Sequence, residues 1–256
     1  MSHPPLWNAE IIVRPTESEA AEACASFIGD KLADALSRSP TAHFALSGGS
    51  SPRAMFQLLA QRDLDWSRVH IFWVDERCVP PDDPASNYRM AKLSLIDPAG
   101  IPAAHVHRVQ TEFGPQEAAK AYAAEIERVC GDGIQPRFDV MHRGIGPDAH
   151  TASLFPGEPL ILRPGRTAAA VWVPKFNQWR VTLTPASLRD ARATAIYAPG
   201  GDKAEAVALI LEGPDDPLAT PAQIATRRGV IETWFLDSAS AARLTSDSLP
   251  IATPDF

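Results

Sequence analysis

The sequence has few cysteines and no long apolar segment, and these two absences exclude several classes of protein. The 256 residues include three cysteines, Cys24, Cys78 and Cys130, and no two of them form a CxxC pair. Because this pattern suggests neither a disulfide framework nor a zinc knuckle, we expect a reducing, cytoplasmic environment. No segment approaches the ~20 apolar residues of a membrane span, and the N-terminus lacks a secretion signal. We therefore expect no membrane partner.

Positive charge is also scarce. The chain has 24 Lys and Arg residues against 31 Asp and Glu residues, which gives a formal net charge of −7 at pH 7. Since nonspecific nucleic-acid binding needs many clustered cations, this balance argues against a nucleic-acid partner. The histidines and carboxylates are not at the recognisable spacing of a metal site, so we expect no metal.

The chain does contain a regular alternation of strand-like and helix-like segments. Strands are predicted at residues 11–13, 43–46, 69–74, 138–141, 168–173, 180–183, 193–197 and 230–235. Helices are predicted after a Thr16–Glu19 capping box, after Pro52, at 86–95 and 115–129, and from near Pro185, Asp202 and Ser238. The alternation predicts an α/β fold with a Rossmann-like open sheet, mostly parallel, and helices on both faces. We expect residues 1–256 to form a single domain.

A glycine-bearing loop, SGGSSP, follows the second predicted strand. Its residues Ser47, Gly48, Gly49 and Ser50 are followed by Ser51, which is placed to cap the next helix. Glycines let the backbone approach a ligand closely, and amides at a helix N-terminus can hold a phosphate group. The loop is neither a Walker loop nor a dinucleotide fingerprint. It predicts either a phosphate site or an ordinary strand-to-helix turn.

Charged residues crowd the end of the third predicted strand. Asp75, Glu76 and Arg77 lie there in the string WVDERCVP, and Ser86 and Asn87 follow shortly afterwards. A carboxylate beside a guanidinium can orient sugar hydroxyls and an anionic group, because guanidinium offers a planar fork of donors. The alternative interpretation is a solvated ion-pair cluster.

Asp148 and His150 occupy a loop, GIGPDAH, after the strand predicted at 138–141. A histidine there can act as a general base near neutral pH. The alternative is a loop histidine that is hydrogen-bonded for structure. Two cations, Arg180 in WRVTLT and Lys203 in GGDKA, could point into the same cleft or could be solvated surface charges.

These strings, taken together and in order, resemble the 6-phosphogluconolactonases of the pentose phosphate pathway. The resemblance runs from about residue 44 to residue 244. The matching segments are SGGSSP, WVDERCVP with SN following, GPDAHTASLFPG, RVTLTP, GGDKAEAV and WFLDSASAARL. The related glucosamine-6-phosphate deaminases share the fold and similar loops, but HTASLFPG and DERCVP are typical of the lactonase branch.

The resemblance implies hydrolysis of 6-phospho-D-glucono-1,5-lactone to 6-phospho-D-gluconate without a metal or an organic cofactor. It implies that His150 is the general base and that Asp148 orients the imidazole or shapes the loop. For substrate binding it implies a phosphate end held by the Gly48-Gly49-Ser50 loop with Arg180 and Lys203, and a lactone end positioned by Asp75 and Arg77.

Two other functions fit the sequence less well. One is a deaminase or isomerase of the same fold that acts on an aldose or ketose phosphate. The other is a noncatalytic sugar-phosphate sensor, although the sequence contains no attached DNA-binding segment and does contain a candidate base.

The chain departs from the family pattern at two places. His142 and Arg143 stand where the family usually has apolar strand residues, and Ala149 stands where glycine is usual before the histidine. Because an unpaired buried cation is very costly, we expect Arg143 to pair with a carboxylate such as Asp75 or Asp148, or to reach substrate, the alternative being a solvated strand end. Ala149 is strained if its position needs a positive φ.

Overall fold

The computed structural model describes residues 9–131, 137–163, 165, 167–226 and 232–245. The strands are β1 Ala9–Arg14, β2 Ala42–Leu46, β3 Val69–Trp73, β4 Asp75–Arg77, β5 Phe138–Arg143, β6 Ala168–Val173, β7 Gln178–Leu183, β8 Ala191–Tyr197 and β9 Glu232–Asp237. The helices are α1 Glu17–Arg38, α2 Arg53–Ala60, α3 Asn87–Ala91, α4 Asp97–Ala99, α5 Pro115–Cys130, α6 Pro185–Leu188, α7 Ala204–Glu212 and α8 Gln223–Thr226. A π-helical turn, Lys92–Ile96, joins α3 to α4.

The central sheet has six strands in the order β1-β9-β8-β5-β2-β3, and every pairing within it is parallel. This confirms the prediction of a Rossmann-like, mostly parallel sheet. Its inner strands β2, β5, β8 and β9 are mostly buried on both sides, as parallel strands covered by helices require, whereas the edge strand β1 is partly exposed.

Alternate residues of each central strand enter separate cores. Phe44 and Trp73 pack in the core that contains α1 and α2, whereas their neighbours Ala45 and Phe72 face the core that contains α5. A third cluster packs α7 against Trp234 of β9. Helices therefore cover both faces of the sheet, as predicted. Helix α1 begins at the Thr16–Glu19 capping box, with both reciprocal hydrogen bonds present.

The segments predicted as strands at 168–173 and 180–183 do not join the central sheet. They form β6 and β7 of a separate antiparallel sheet with the order β4-β7-β6. The short strand β4, Asp75–Arg77, follows β3 directly and carries the chain from one sheet to the other. The sequence did not indicate this additional small sheet, because the three-residue strand β4 gives no periodicity signal of its own.

Two smaller predictions were wrong. Ser51 does not cap α2, whose N-cap is Pro52 and has no side-chain cap. The helix predicted from Ser238 is a turn, in which Asp237 and Ser240 exchange backbone and side-chain hydrogen bonds. The strand predicted at 230–235 is β9, and residues 230 and 231 lie outside the described residues. Within the described ranges, no helix has the length and apolar character needed to cross a bilayer.

The topology gathers several loops at one edge of the central sheet. The chain runs from β2 outward to β3, then returns to place β5 on the other side of β2. The loops after β2 and β5 therefore flank the point where the strand order reverses, and the loop after β8 opens at the same edge. In open α/β sheets this is the crevice in which ligands bind.

Candidate active site

A cleft at this edge contains nearly all of the residues singled out from the sequence. It is lined by Ser47, Gly48, Gly49, Ser50, Asp75, Arg77, His150, Arg180 and Lys203, together with Ser51, His142 and Tyr197 among others. Asp148 stands behind His150 and contacts it directly. Residues as far apart in the chain as Ser51 and Lys203, which are separated by 152 positions, therefore meet at one site.

The glycine-bearing loop after β2 adopts a conformation that needs both glycines. A Cβ at Gly48 would lie 2.0 Å from Oδ1 of Asn87, and Gly49 has a φ of +96°. The Ser51 hydroxyl accepts a hydrogen bond of 3.2 Å from Nζ of Lys203. The loop thus brings its backbone and its hydroxyls against a buried cation, which is the arrangement expected of an anion site.

The residues Asp75 and Glu76 of β4 have different surroundings. Asp75 is buried and accepts a hydrogen bond of 2.6 Å from the Ser153 hydroxyl and another of 3.3 Å from the Asn87 amide. The Glu76 carboxylate instead accepts hydrogen bonds from the backbone amides of Asn87 and Tyr88 at the start of α3. Glu76 therefore holds the loop to β4, while Asp75 faces the cleft.

Two arginines stand opposite each other on adjacent antiparallel strands. Arg77 of β4 is the register partner of Arg180 of β7. Arg180 is buried, its Nη1 lies 3.9 Å from Oδ2 of Asp75, and burial lowers the pKa of its guanidinium. Its Nε has no hydrogen-bond partner in the described part of the chain. Two cations on facing positions of adjacent strands attract an anionic group into the cleft.

His150 forms a dyad with the aspartate two residues before it. Its Nδ1 lies 2.5 Å from Oδ1 of Asp148, and the other carboxylate oxygen accepts a hydrogen bond of 2.8 Å from Nζ of Lys175. The hydrogen bond from His150 and, next, that from Lys175 hold the pKa of Asp148 below its ordinary value. Because an ionised carboxylate can only accept at this contact, Nδ1 is the protonated nitrogen of the neutral imidazole, and in that tautomer Nε2 has the free lone pair.

The local backbone makes room for this dyad. A Cβ at Gly146 would lie 2.1 Å from the His150 ring and 2.8 Å from Oδ1 of Asp148, so only glycine fits there. Ala149, between the two dyad residues, has a φ of 60°. The strain expected at this alanine is therefore present, since left-handed backbone costs a residue with a Cβ about 1–2 kcal/mol.

Aromatic rings form one wall beside the dyad. The His150 ring stacks on Phe155 with 4.2 Å between centroids, and Phe176 meets Phe155 edge-on. The Arg180 guanidinium lies over both phenylalanine rings, 4.9 Å from Phe176. The rings fix the imidazole plane and hold the guanidinium near it.

Lys203 enters the cleft from the short turn Gly201–Lys203 that precedes α7. The side chain is largely buried, and burial lowers the pKa of its ammonium group. Its hydrogen bond in the described residues is the one to Ser51, a neutral hydroxyl. A buried ammonium without a carboxylate in contact is costly unless an anion binds.

Arg143 is paired, but not with the carboxylates that we expected. It is 1% exposed and its guanidinium forms a buried ion pair with Glu232 of β9. Asp75 is engaged by Ser153 and Asn87, and Asp148 is engaged by His150. The prediction that Arg143 pairs with a carboxylate is therefore confirmed, and the alternative of a solvated strand end is wrong. The expected partners, Asp75 and Asp148, were also wrong.

Sequence reasoning gave no role to several residues of the site. Lys175 contacts Asp148 from 27 positions away, and Ser153 and Asn87 orient Asp75. Ser153 lies in the segment HTASLFPG and Asn87 in the SN pair, so the motifs contained a signal for both. Lys175 lies in the turn Pro174–Phe176 and belongs to no motif. In the described residues, no three His, Cys, Asp or Glu side chains form a group able to hold a metal ion.

Comparison with known proteins agrees with this geometry. Residues 15–234 match the family described as glucosamine-6-phosphate isomerases/6-phosphogluconolactonase. A curated 6-phosphogluconolactonase of Streptomyces coelicolor is 36% identical over 258 residues, which cover 95% of this chain and 98% of the relative. Another, from Synechocystis, is 32% identical over 242 residues, with coverages of 93% and 96%.

The fold has close counterparts among solved structures. The 6-phosphogluconolactonase of Trypanosoma brucei superposes with a TM-score of 0.82 at 26% identity, and the match covers 93% of this chain and all of that one. The similarity thus extends along the whole of the α/β architecture that carries the cleft.

Proposed function

Since the chain belongs to the glucosamine-6-phosphate isomerase/6-phosphogluconolactonase family, we propose that it hydrolyses 6-phospho-D-glucono-1,5-lactone to 6-phospho-D-gluconate. This reaction is the second step of the oxidative pentose phosphate pathway. The observation that carries the proposal is the Asp148–His150 dyad in a cleft that also contains buried cations. Hydrolysis of a phosphorylated lactone needs both features, because a base must activate the attacking water and cations must bind the phosphate group.

In this proposal His150 is the general base. Its Nε2 takes a proton from a water molecule as the water oxygen bonds to the lactone carbonyl carbon. The resulting tetrahedral intermediate collapses with cleavage of the bond to the ring oxygen, which takes the proton back from Nε2. Asp148 supports this cycle, because its carboxylate keeps the proton on Nδ1 and stabilises the imidazolium that forms.

The remaining residues bind the two ends of the substrate. The Gly48-Gly49-Ser50 loop, Arg180 and Lys203 hold the 6-phosphate, while Asp75 and Arg77 position the lactone end. Burial of Arg180 and Lys203 supports this assignment. Within the described residues Lys203 hydrogen-bonds to a neutral hydroxyl, and the carboxylate nearest to Arg180, that of Asp75, is 3.9 Å away, so both buried cations can bind an anion. The hydrogen bonds of Asp75 to Ser153 and Asn87 fix its carboxylate toward the cleft.

The proposed reaction requires neither a metal nor an organic cofactor. A lactone carbonyl is already electrophilic, so one activated water and stabilisation of the developing oxyanion are sufficient. We also propose a cytoplasmic location, which is supported by three free cysteines, Cys24, Cys78 and Cys130.

Turnover of freshly prepared 6-phosphogluconolactone, corrected for its spontaneous opening, tests the proposal. We expect the protein to consume the lactone faster than the uncatalysed rate. Release of ammonia from glucosamine 6-phosphate without lactone turnover would favour the deaminase. Binding of 6-phosphogluconate without any turnover would favour the noncatalytic sensor.

A further inference from the structure

His142 is a buried histidine in the wall of the cleft to which the reaction assigns no role. It is 1% exposed and lies on β5, immediately before Arg143. Its ring packs edge-on against Phe56 of α2, with 5.3 Å between centroids. The ring is therefore fixed between a helix and the cleft.

The contacts of the ring define which nitrogen carries the proton. The backbone amide of Ser47, the first residue of the glycine-bearing loop, donates to the His142 carbonyl oxygen at 3.1 Å and also to Nδ1 of its ring at 3.4 Å. A nitrogen that faces an N–H must be the acceptor of the neutral ring, so the proton is on Nε2. His142 thus presents a single N–H donor.

The ring is also neutral under physiological conditions. Burial, and after it the positive charges of Lys203 and Arg143, lower the pKa of His142 to about 3. His142 and Lys203 line the same cleft.

The Nε2 donor has no partner. Among the described residues, no acceptor lies within hydrogen-bond distance of this buried nitrogen. A buried donor without an acceptor costs about 1–3 kcal/mol, and such groups are rare in native proteins. An acceptor supplied by a ligand would remove this cost.

We propose that His142 donates a hydrogen bond from Nε2 to a phosphate oxygen of the bound phosphosugar, and so contributes to selection of phosphorylated substrates. The proposal rests on the proposed function for the identity of the ligand. His142 lines the same cleft as Ser47 and Lys203, which belong to the loop and the cation assigned to the phosphate, and its Nδ1 faces the Ser47 amide. A neutral donor adds affinity for phosphate without adding a further buried charge beside Lys203.

Binding of 6-phosphogluconate and of unphosphorylated gluconate to purified variants tests the role of His142. We expect His142→Leu to weaken 6-phosphogluconate binding about tenfold to hundredfold, the usual effect of losing a hydrogen bond to a charged group. Gluconate binding should not change. His142→Gln places an amide N–H near Nε2 and should retain most of the affinity. His107→Gln, which alters a buried histidine outside the cleft, is the matched control.

Kinetics separate this role from a structural one. We expect His142→Leu to raise KM with little change in kcat, because a phosphate remote from the reacting carbon is bound equally in the ground and transition states. Wild-type affinity of His142→Leu for 6-phosphogluconate would overturn the proposal and indicate that Nε2 is satisfied by a buried water.

A spectroscopic measurement covers the case in which His142→Leu does not fold. In wild-type protein we expect a neutral His142 with its proton on Nε2 in ¹⁵N NMR spectra, and a shift of that resonance on addition of inorganic phosphate. An unchanged resonance at saturating phosphate would contradict the proposal. These readouts are independent of turnover. If the wild-type protein does not turn over the lactone but His142→Leu loses phosphate binding, the role of His142 stands and lactone hydrolysis is refuted. If the wild-type protein turns over the lactone and His142→Leu binds phosphate as the wild type does, lactone hydrolysis stands and the role of His142 is refuted.

Discussion

Arg143 and Lys203 are both buried cations near the carboxyl edge of the sheet, yet they have opposite surroundings. Arg143 is closed off by a carboxylate, Glu232, whereas Lys203 contacts only the Ser51 hydroxyl within the described residues. The comparison shows that burial of a charge by itself does not indicate function. Of these two residues, Arg143, which contacts a carboxylate, stabilises the fold, whereas Lys203, which hydrogen-bonds to a neutral hydroxyl, is available to bind an anion.

The largest effect is expected in the cleft that contains Lys203, at His150. His150→Asn should lower kcat by about 10²–10⁴-fold with little change in KM, because an amide fits the loop but cannot accept and return a proton. Steady-state kinetics on the lactone measure this, with His105→Asn as a control outside the cleft. Near-normal turnover by His150→Asn would remove His150 from the mechanism.

A change in the buried Arg143–Glu232 ion pair should lower the stability of the fold and leave the activity unchanged. Arg143→Leu should lower the free energy of unfolding by about 3–5 kcal/mol, since it leaves Glu232 without this partner in the core. The kcat/KM of the folded protein should stay near the wild-type value.

The double variant Arg143→Leu/Glu232→Leu isolates the pair. It should lose less stability than the two single variants summed, as measured by urea denaturation. Wild-type stability of Arg143→Leu would mean that the ion pair contributes nothing.

His142 precedes Arg143 on β5 and lines the same cleft as Lys203, so its protonation extends the comparison of the two cations. The unfolded chain binds a proton at this histidine near pH 6.5, whereas the folded protein does so only near pH 3. The unfolded state therefore holds more protons in this interval, and stability falls as the pH drops below 6.5, by up to about 1.4 kcal/mol per pH unit. The unfolding free energy of His142→Leu should depend less steeply on pH between 5 and 6.5. Identical slopes would show that His142 is not kept neutral by the fold.

The smallest effect concerns the backbone that joins the dyad. Ala149→Gly should raise stability by up to about 1 kcal/mol, because relief of the strain at φ 60° exceeds the extra entropy lost by glycine. Ala195→Gly, a buried alanine within strand β8, is the matched control and should be destabilising. Equal destabilisation of both variants in thermal melts would show that Ala149 is not strained.

Local patterns in the sequence predicted much of the fold. The alternation of strands and helices predicted the parallel sheet, and the capping box predicted the start of α1. The separate antiparallel sheet could not be predicted, because it depends on the three-residue strand β4 and on pairings across more than 100 residues.

The site residues that lie in local sequence motifs were predictable. The contacts between residues far apart in the sequence were less so. The loops at residues 47–52 and 144–150 led to the cleft and to the Asp148–His150 dyad. Glu232 lies 89 residues from Arg143, and Lys175 lies 27 residues from Asp148, so neither contact has a local sequence signal. Such partners follow only from the tertiary structure.

Binding of 6-phosphogluconate is the most direct test of the difference between Lys203, which contacts no carboxylate in the described residues, and Arg143, which is paired with Glu232. Lys203→Met keeps the apolar stem and removes only the charge, while Arg143→Leu/Glu232→Leu removes the closed pair. Isothermal titration should show wild-type affinity for the double variant and an affinity at least about tenfold weaker for Lys203→Met, as expected for the loss of a charged contact. Undiminished binding by Lys203→Met would contradict the account, because the unpaired cation would then have no anion to receive.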